Sequence, residues 1–423
     1  MSAFDKIIGY DSIKTELKRI CDCWKYPEKY EKLGAKPPKA LLLYGVPGIG
    51  KTFFATCMME ESGLPYFVLR RENADEAFME EMKKKFEEAK GVAPSILLLD
   101  DMDKFSNDSH ENHLDAKEYV AIQSLMDDAK NCAVYFIATT NSIRYLPDSL
   151  LRSGRFGLQI HMNLPSSADM EKIVRHYLEG KKIVSENIKL NDFAGVLVEK
   201  SCADVESVIN SAAIYAGYEH REFVTQEDLI HACLRELFYV TDLLTEKSPE
   251  VRRRHAYHEA GHAVIAEFLE PGSVNLISIK SGDGMKGGFT SFNINREYKC
   301  RICYQENQVM SSLGGKAATE LVFGEVDTGV VSDLDSATEM LERFRDFYAA
   351  YGFDKRINPF RHFDTTDMVA EQFVAGQLEL YYRKTKSILI EHRPFLDALA
   401  KELEEKEMLF GSDVRCIRKA VEA

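Results

Sequence analysis

The stretch Ala40-Leu-Leu-Leu-Tyr-Gly-Val-Pro-Gly-Ile-Gly-Lys-Thr52 decides the fold of the first part of this 423-residue chain. A strand-sized apolar run is followed by G-x-x-x-x-G-K-T, and residues 53–61 then read as a helix. Strand, glycine-containing loop and helix in this order form the context of a phosphate-binding loop. Its residues are Gly45, Val46, Pro47, Gly48, Ile49, Gly50, Lys51 and Thr52. We expect Lys51 to reach the β- and γ-phosphates of ATP and Thr52 to bind Mg²⁺.

The rest of the chain divides into further segments by its pattern of apolar residues. Strand-sized apolar runs follow at residues 66–69, 96–100, 134–139 and 158–162, with helix-like stretches between them. This alternation predicts a parallel sheet with helices on both faces. The predicted architecture is an α/β ATPase domain (1–165), a helical lid (166–240), a linker (241–250) and a mostly helical domain (251–423). A possible strand pair in the last domain covers residues 276–280 and 288–294.

Polar side chains at the ends of the predicted strands suit phosphoryl chemistry. The third strand ends in Asp100 and Asp101, where one carboxylate can hold Mg²⁺ and the next can orient the attacking water. Asn141 follows the fourth strand, where it can contact the γ-phosphate or that water. Arg152 and Arg155 are suited to stabilising phosphoryl charge across a subunit boundary, as arginine fingers do.

Composition excludes several classes of protein. Lys and Arg number 54 against 68 Asp and Glu, and the resulting net charge of -14 argues against nucleic acid as a partner. No apolar run approaches the roughly 18 residues of a membrane helix, and the N-terminus lacks a secretory signal. The nine cysteines form no disulfide framework, and Cys300-x-x-Cys303 alone is too few ligands for a structural zinc site. We therefore expect a soluble protein of the reducing cytoplasm.

A second motif, His258-Glu-Ala-Gly-His262, predicts a zinc site. Histidines four apart share one helix face, with Cβ atoms roughly 5–6 Å apart, so both imidazoles can meet one zinc ion. Ser248 and Pro249 suit the start of this helix, and Pro271 suits its end. Glu259 can then polarise the zinc-bound water and pass its proton to the leaving amine.

A catalytic zinc needs a third protein ligand and an open position for water. His255 shares the helix face, but it cannot join His262 on one metal because roughly 10 Å of helix rise separates the two residues. The candidates are Asp333 and Asp335, where Ser332 is the expected N-cap of a long helix. Two residues turn a helix by about 200°, so the aspartates point to different sides and spacing alone does not choose between them.

Together these motifs resemble the FtsH family of membrane-anchored AAA+ zinc metalloproteases over nearly the whole chain. The matching segments are Phe4-Asp-Lys-Ile-Ile-Gly9, the phosphate loop, Leu150-Leu-Arg-Ser-Gly-Arg-Phe156, Ala256-Tyr-His-Glu-Ala-Gly-His262, Leu313-Gly-Gly-Lys-Ala-Ala-Thr-Glu320, Asp327-Thr-Gly329 through Asp333, and Ala337-Thr338. The resemblance implies a homohexameric ring that uses ATP, Mg²⁺ and one Zn²⁺ per subunit and threads protein substrates into a proteolytic chamber.

The resemblance also assigns individual residues. It selects Asp333 as the third zinc ligand and places Glu320 where the family has an acidic residue near the metal. Ile8 and Gly9, within the first matching segment, become further candidate site residues. Residues 288–290 resemble the family's edge strand, which could bind an extended peptide by strand addition.

Four departures from the family pattern bear on function. The family's N-terminal membrane helices have no counterpart, which predicts a soluble member. Asp101 replaces the family's Glu and is shorter by one methylene. Residues 70–85 are shorter than the family pattern and lack its aromatic-Val-Gly pore loop, so Phe78 is either a pore residue or a core contact. Gly157 and Leu158 replace a polar pair after the arginines.

The sequence thus predicts an ATP-dependent zinc metalloendopeptidase that degrades unfolded or loosely folded proteins. One alternative is an AAA+ remodelling ATPase with a weak or structural peptidase. Another is a zinc peptidase whose ATPase only gates or assembles the ring.

Overall fold

A computed structural model of the chain describes residues 2–71, 77–105, 117–180, 188–240, 248–280, 288–293, 300–350 and 366–422. By internal contacts the chain divides into two compact units. The first comprises Met1–Leu190 and Leu197–Leu229, and the second comprises Asn191–Val196 and Ile230–Ala423. Most of the linker predicted at 241–250 lies outside the described residues, and the predicted domain boundaries stay predictions.

The first unit is built on a five-stranded parallel sheet. Its strands are β1 (Ala40–Tyr44), β2 (Tyr66–Arg70), β3 (Ser95–Asp100), β4 (Val134–Thr140) and β5 (Leu158–His161). They lie in the order β2-β3-β4-β1-β5, with every pair parallel. The central strands β3 and β4 are buried along their whole length, as expected for a sheet covered on both faces. The sequence-predicted parallel sheet is confirmed, with boundaries shifted by one residue at most.

Helices alternate with these strands along the chain, and more helices follow the last strand. In chain order they are α1 (Asp11–Lys25), α2 (Pro27–Glu31), α3 (Lys51–Ser62), α4 (Ala77–Gly91), α5 (Lys117–Asp128), α6 (Asp148–Leu151), α7 (Ser167–Gly180), α8 (Leu190–Val196), α9 (Cys202–Tyr218) and α10 (Gln226–Phe238). Short 3-10 helices cover Ala3–Lys6, Met102–Lys104, Ala129–Asn131 and Ile143–Tyr145. Helix α3 begins directly at Lys51, so the phosphate loop joins the end of β1 to a helix N-terminus.

The second unit is mostly helical. Its further helices are α11 (Pro249–Leu269), α12 (Ile302–Ser312), α13 (Gly314–Phe323), α14 (Val331–Asp346), α15 (Thr366–Glu391), α16 (Arg393–Lys406) and α17 (Gly411–Glu422). The strands β6 (Val274–Ser278), β7 (Phe289–Phe292) and β8 (Met408–Phe410) form an antiparallel sheet in the order β7-β6-β8. The predicted strand pair is therefore present, and β8 joins it on the other side of β6.

Helix α11 is the centre of the second unit's core and also carries the zinc motif. Ser248 accepts a hydrogen bond from the N–H of Val251, Pro249 is the first residue of the helix and Leu269 the last, as the sequence predicts. Helix α13 crosses α11 at backbone contact, because a Cβ on Gly261 would lie 2.3 Å from the carbonyl oxygen of Gly314. The small residues here let the two helices approach closely enough to share one site.

One predicted helix start is wrong. Helix α14 begins at Val331, one residue before Ser332, and no side chain caps it. It grows directly out of the 3-10 turn Thr328–Val330, and such turns are common at helix N-termini. Within the described ranges, no helix combines the length and the apolar character needed to cross a bilayer.

Candidate active site

Three side chains of the second unit converge on one point. His258 Nε2 lies 3.1 Å from His262 Nε2 and 3.1 Å from Asp333 Oδ2, and His262 Nε2 lies 3.3 Å from Asp333 Oδ2. Zinc holds nitrogen and oxygen ligands at about 2.0–2.1 Å, so the edge of a tetrahedral site is roughly 3.3 Å. The triangle of ligand atoms therefore has the size that a tetrahedral zinc ion needs. Across the described part of the chain, this is the group of His, Cys, Asp and Glu residues that could hold a metal.

Neighbouring elements hold the ligands in place. His262 Nδ1–H donates to the carbonyl oxygen of Ser311 at 2.7 Å, which leaves the Nε2 lone pair for a metal. Gly315 of α13 lies against both imidazoles, and a Cβ there would sit 2.5 Å from His258 Cε1 and from His262 Nε2. A side chain at position 315 would therefore displace the rings from their positions around the metal centre. Helix α14 then supplies Asp333 from its first turn.

The electrostatics of the three ligands favour a cation. Burial alone would raise the pKa of Asp333, but hydrogen bonds and positive charge from His258 and His262 hold it well below its ordinary value. Burial disfavours a charged His262, but the Asp333 carboxylate outweighs burial and raises the pKa of His262 to about 9. The carboxylate thus attracts positive charge to the centre of the triangle, and the fit of donor types and spacing is that of a zinc site with one position left open.

The acid of the motif is held apart from the ligands. Glu259 is 4% exposed, and its Oε2 accepts a hydrogen bond of 2.8 Å from the hydroxyl of Thr290 on β7. Glu259 and all three ligands line one cavity of about 460 Å³. Phe289, Phe292 and Val251 add apolar walls to this cavity. The cavity can therefore receive an extended chain beside both the metal position and the acid.

In the first unit, the lysine of the phosphate loop is hydrogen-bonded to the backbone of the loop itself. Lys51 Nζ donates to the carbonyl oxygens of Gly45 (2.8 Å) and Val46 (3.0 Å) and to Asn141 Oδ1 (2.9 Å). Burial lowers the pKa of Lys51, and the nearby charges of Asp101, Asp103 and Asp100 partly oppose that effect. The structure thus brings Lys51 and Asn141 together, as expected for residues that meet the γ-phosphate.

Asp100 is fully buried and accepts hydrogen bonds on both carboxylate oxygens. Oδ1 accepts from the hydroxyls of Thr52 and Thr139, both at 2.7 Å. Oδ2 accepts from Arg70, whose Nε lies at 3.0 Å and whose Nη2 also donates. Burial would raise the pKa of Asp100, but these donors, Arg70 foremost, lower it. Thr52 and Asp100 meet as predicted for a magnesium site, and Arg70 is a partner that the sequence analysis did not identify.

The second acid and a third one complete the cluster. Asp101 has a left-handed backbone (φ 57°), and its Oδ2 lies 2.7 Å from Lys104 Nζ. Asp103 accepts from Asn141 Nδ2 at 2.8 Å and from the Asn141 N–H at 3.2 Å. Asp101 therefore points to a cation of its own chain, while Asp103 fixes the side chain of Asn141.

A separate pocket in the first unit adjoins the phosphate loop. It has a volume of about 460 Å³, and its lining includes Ile8, Tyr10, Ile49, Phe54 and Tyr177. Three of these five residues are aromatic and two are isoleucines, a lining that suits a flat apolar ring such as an adenine base. Gly9 lies beside this wall with φ at +72° and is not among the lining residues. These positions support Ile8 as a candidate for nucleotide contact.

The two candidate arginine fingers have different environments. Arg152 is exposed. Arg155 is 8% exposed and donates to Asp127 Oδ2 (2.7 Å), Gln123 Oε1 (3.0 Å) and the Ser149 carbonyl oxygen (2.7 Å). The guanidinium of Arg155 is thus bound within its own subunit, whereas that of Arg152 is at the surface.

For two further candidates, the structure places the side chain away from the pore or the metal site considered for it. Phe78 is 4% exposed, belongs to the core of the first unit and packs edge-on against Phe105 at 4.9 Å. The core-contact interpretation therefore holds, because a ring enclosed by the sheet's helices has no access to a pore. Glu320 bonds to Lys386 (2.9 Å), Lys316 (3.2 Å) and the Tyr382 hydroxyl, and not to the metal ligands.

Sequence reasoning missed three functional contacts. Arg70 and Asp100 are the last residues of β2 and β3, which pair in parallel, so the meeting of parallel carboxyl ends is a signal that could have found this pair. Asp103 follows the paired acids by two residues, a spacing that gave no comparable signal. Thr290 lies in the segment identified as an edge strand, but nothing in the sequence points its hydroxyl at Glu259.

Known protein families match both the ATPase region and the peptidase region of the chain. Residues 41–164 match the family model for ATPases associated with various cellular activities (AAA), and residues 245–417 match peptidase family M41. The ATP-dependent zinc metalloprotease FtsH of Helicobacter pylori is 30% identical over 99% of this chain and 71% of its own length. ATP-dependent zinc metalloprotease FtsH 2 of Symbiobacterium thermophilum is 31% identical, over 99% of this chain and 74% of its own length. This chain belongs to the FtsH family of ATP-dependent zinc metalloproteases.

Proposed function

We propose that this chain hydrolyses peptide bonds in protein substrates at the His258–His262–Asp333 site and that ATP hydrolysis in the first unit drives the process. The observation that carries the proposal is the ligand triangle of 3.1–3.3 Å edges with a buried carboxylate, Glu259, on the same cavity. A structural zinc site would be closed by a fourth protein ligand. Among the residues that the structure describes, three ligands meet at this site and line an open cavity. The geometry thus favours catalysis over a structural role.

The chain's own residues divide the chemistry between them. Zinc held by the three ligands would supply Lewis-acid polarisation of the scissile carbonyl and lower the pKa of water. Glu259 accepts a proton from the attacking water as the water oxygen bonds to the carbonyl carbon. It then delivers that proton to the amine nitrogen as the C–N bond breaks. In the described sheet β7 is terminal, and its outer edge can align the substrate as an added strand beside this carboxylate.

We further propose that the ATPase works as a homohexameric ring with Mg²⁺ at Thr52 and Asp100. Arg152 lies at the surface of its own subunit, so it can act on the nucleotide of a neighbouring subunit. An oligomer is therefore needed to complete the site.

We also propose a cytoplasmic location, supported by nine cysteines that are all free thiols.

Substrates are proposed to be unfolded or loosely folded proteins. The segment that would supply an aromatic pore loop contains helix α4 from Ala77 onward, and Phe78 is buried within it. Residues 72–76 of that segment lie outside the described residues. An aromatic side chain that is buried in the core cannot contact a substrate polypeptide during threading. We therefore expect weak processing of stably folded proteins.

The test measures casein degradation with and without ATP. The zinc content of the same protein preparation is determined first. The wild type should degrade casein with ATP, and Glu259→Gln should lose roughly 10²–10⁴-fold in rate while keeping zinc and ATPase activity. Normal cleavage by the Gln variant would contradict the peptidase assignment. Equal casein cleavage with and without ATP would instead favour an ATPase that only gates or assembles the ring.

A further inference from the structure

The strand beside the active site holds the catalytic acid through one side chain. Thr290 Oγ1 lies 2.8 Å from Glu259 Oε2 and 3.3 Å from the Glu259 carbonyl oxygen. The shorter contact identifies the carboxylate as the main acceptor, because a hydroxyl has one proton to donate. Glu259 is 4% exposed, so water cannot replace this donor freely. The hydroxyl of Thr290 is therefore the group that fixes one oxygen of the acid.

Fixing one carboxylate oxygen has a chemical consequence for the other. A glutamate side chain has three rotatable bonds, and a general base must hold its accepting oxygen within about 2.6–3.2 Å of the proton it takes. With Oε2 bonded to Thr290, Oε1 is the oxygen left to accept a proton, and Glu259 lines the same cavity as the three ligands. Loss of the hydroxyl would free the side chain to rotate, and fewer orientations would place an oxygen at the attacking water.

The position of Thr290 is itself well determined. Thr290 pairs with Ile277 of β6 and Phe289 with Ser278, so the register of β7 is set by the antiparallel ladder. Phe289 also stacks on Phe238, with ring centroids 4.3 Å apart. Because β7 is anchored on both counts, the Thr290 hydroxyl has a defined place relative to α11.

The same strand offers its other edge to substrate. In the described sheet β7 is terminal, with β6 on one side only, so its outward backbone groups can pair with a peptide. The Thr290 backbone would then contact substrate while its side chain contacts Glu259. We propose that Thr290 is the positioning residue of the catalytic Glu259, which links peptide addition on β7 to alignment of the base. This inference rests on the proposed peptidase function.

The experiment compares Thr290→Val and Thr290→Ser in the full chain. Valine keeps the shape but removes the hydroxyl, and serine keeps the hydroxyl but removes the methyl group. For a short peptide substrate we expect kcat to fall about 10–100-fold in the valine variant, the usual cost of losing such a supporting contact. KM, zinc content and ATPase activity should stay at wild-type values, and serine should restore kcat to within a few-fold.

A binding measurement gives a readout that does not depend on turnover. A peptide hydroxamate binds zinc and donates a hydrogen bond to the base, so its affinity should fall in Thr290→Val and recover in Thr290→Ser. If the Thr290→Val variant melts at a lower temperature than the wild type, Thr290→Ala replaces it in both measurements. Alanine removes the hydroxyl without adding a branched side chain.

Three results would overturn the proposal: wild-type kcat in the valine variant, equal loss in the valine and serine variants, or a rise in KM with kcat unchanged. The second would mean that packing of the methyl group matters, and the third that Thr290 serves peptide binding alone. Failure of the peptidase assignment itself is distinct, since the wild type would then show no zinc-dependent cleavage sensitive to Glu259→Gln.

Discussion

The zinc site and the nucleotide site differ in how their charged groups are paired. In the zinc site, two imidazoles and a carboxylate face a common centre 3.1–3.3 Å from one another. In the nucleotide site, Asp100 is paired with Arg70 and Asp101 with Lys104. The first arrangement can accept a cation with little movement, because the metal replaces a proton among ligands already in place. In the second, Mg²⁺ would compete with Arg70 for the same carboxylate.

The two sites also differ in whether one subunit supplies all the catalytic groups. The described zinc ligands and Glu259 all belong to the second unit of one chain. The nucleotide site has its lysine, threonine and acids in one chain, but Arg155 is bound to Asp127 of the same subunit and Arg152 is exposed. Peptide hydrolysis should therefore tolerate dissociation of the ring better than ATP hydrolysis does.

The largest expected effect tests whether the nucleotide site borrows a cation. Arg152→Ala should slow ATP hydrolysis by about 10³-fold or more, the usual cost of losing an arginine finger, with nucleotide binding nearly intact. Arg155→Ala should also slow hydrolysis, and its melting temperature should fall because Gln123 and Asp127 lose their partner. ATPase assays, nucleotide titration and thermal melts distinguish the two. A fully active monomer would contradict the requirement for a neighbour.

The next effect tests the completeness of the zinc site. Asp333→Ala removes one of three protein ligands and should weaken zinc binding by more than about 100-fold, since even supporting contacts cost about 10–100-fold. Asp335→Ala is the matched control, because that side chain is exposed two residues further along the same helix. Zinc content after dialysis against a chelator measures both. Loss in the Asp335 variant with retention in the Asp333 variant would show that the wrong aspartate is assigned.

A smaller effect tests the core role of Phe78. Phe78→Ala should lower the free energy of unfolding of the first unit by about 3–5 kcal/mol, the cost of truncating a buried phenylalanine. Val120→Ala, at a side chain that is 57% exposed, should change it by less than about 0.5 kcal/mol. Denaturant unfolding measures both. Unchanged stability combined with selective loss of ATP-dependent degradation of a folded, tagged substrate would return Phe78 to a pore role.

The smallest expected effect concerns the ion pair at Asp100. Arg70→Gln removes a cation that competes with Mg²⁺ for the carboxylate, so the Mg²⁺ concentration for half-maximal ATPase should fall. The Arg70 side chain is 53% exposed, and an ion pair of that kind contributes up to about 1 kcal/mol, or a factor of about 5. Arg70→Lys keeps the charge and should leave the requirement close to wild type. A higher Mg²⁺ requirement in the glutamine variant would mean that Arg70 supports the metal site.

Much of the fold could be predicted because its signals are local. The five apolar runs became the five parallel strands, and the start of α11 at Pro249 follows from Ser248 and proline chemistry. The four-residue spacing of His258 and His262 places both rings on one helix face whatever surrounds it. These features depend on neighbours in sequence, so the amino-acid order determines them directly.

Tertiary structure decided the contacts between distant segments. Asp333 meets His258, 75 residues earlier, because the first turn of α14 faces the histidines, and helix geometry alone left Asp335 equally possible. Arg70 lies beside Asp100 because β2 and β3 are neighbours in the sheet, and Thr290 reaches Glu259 because β7 lies along α11. Phe78 became a core residue because α4 turns that face onto the sheet. Each of these depends on which surfaces pack together, and packing is a property of the whole folded chain rather than of any one segment.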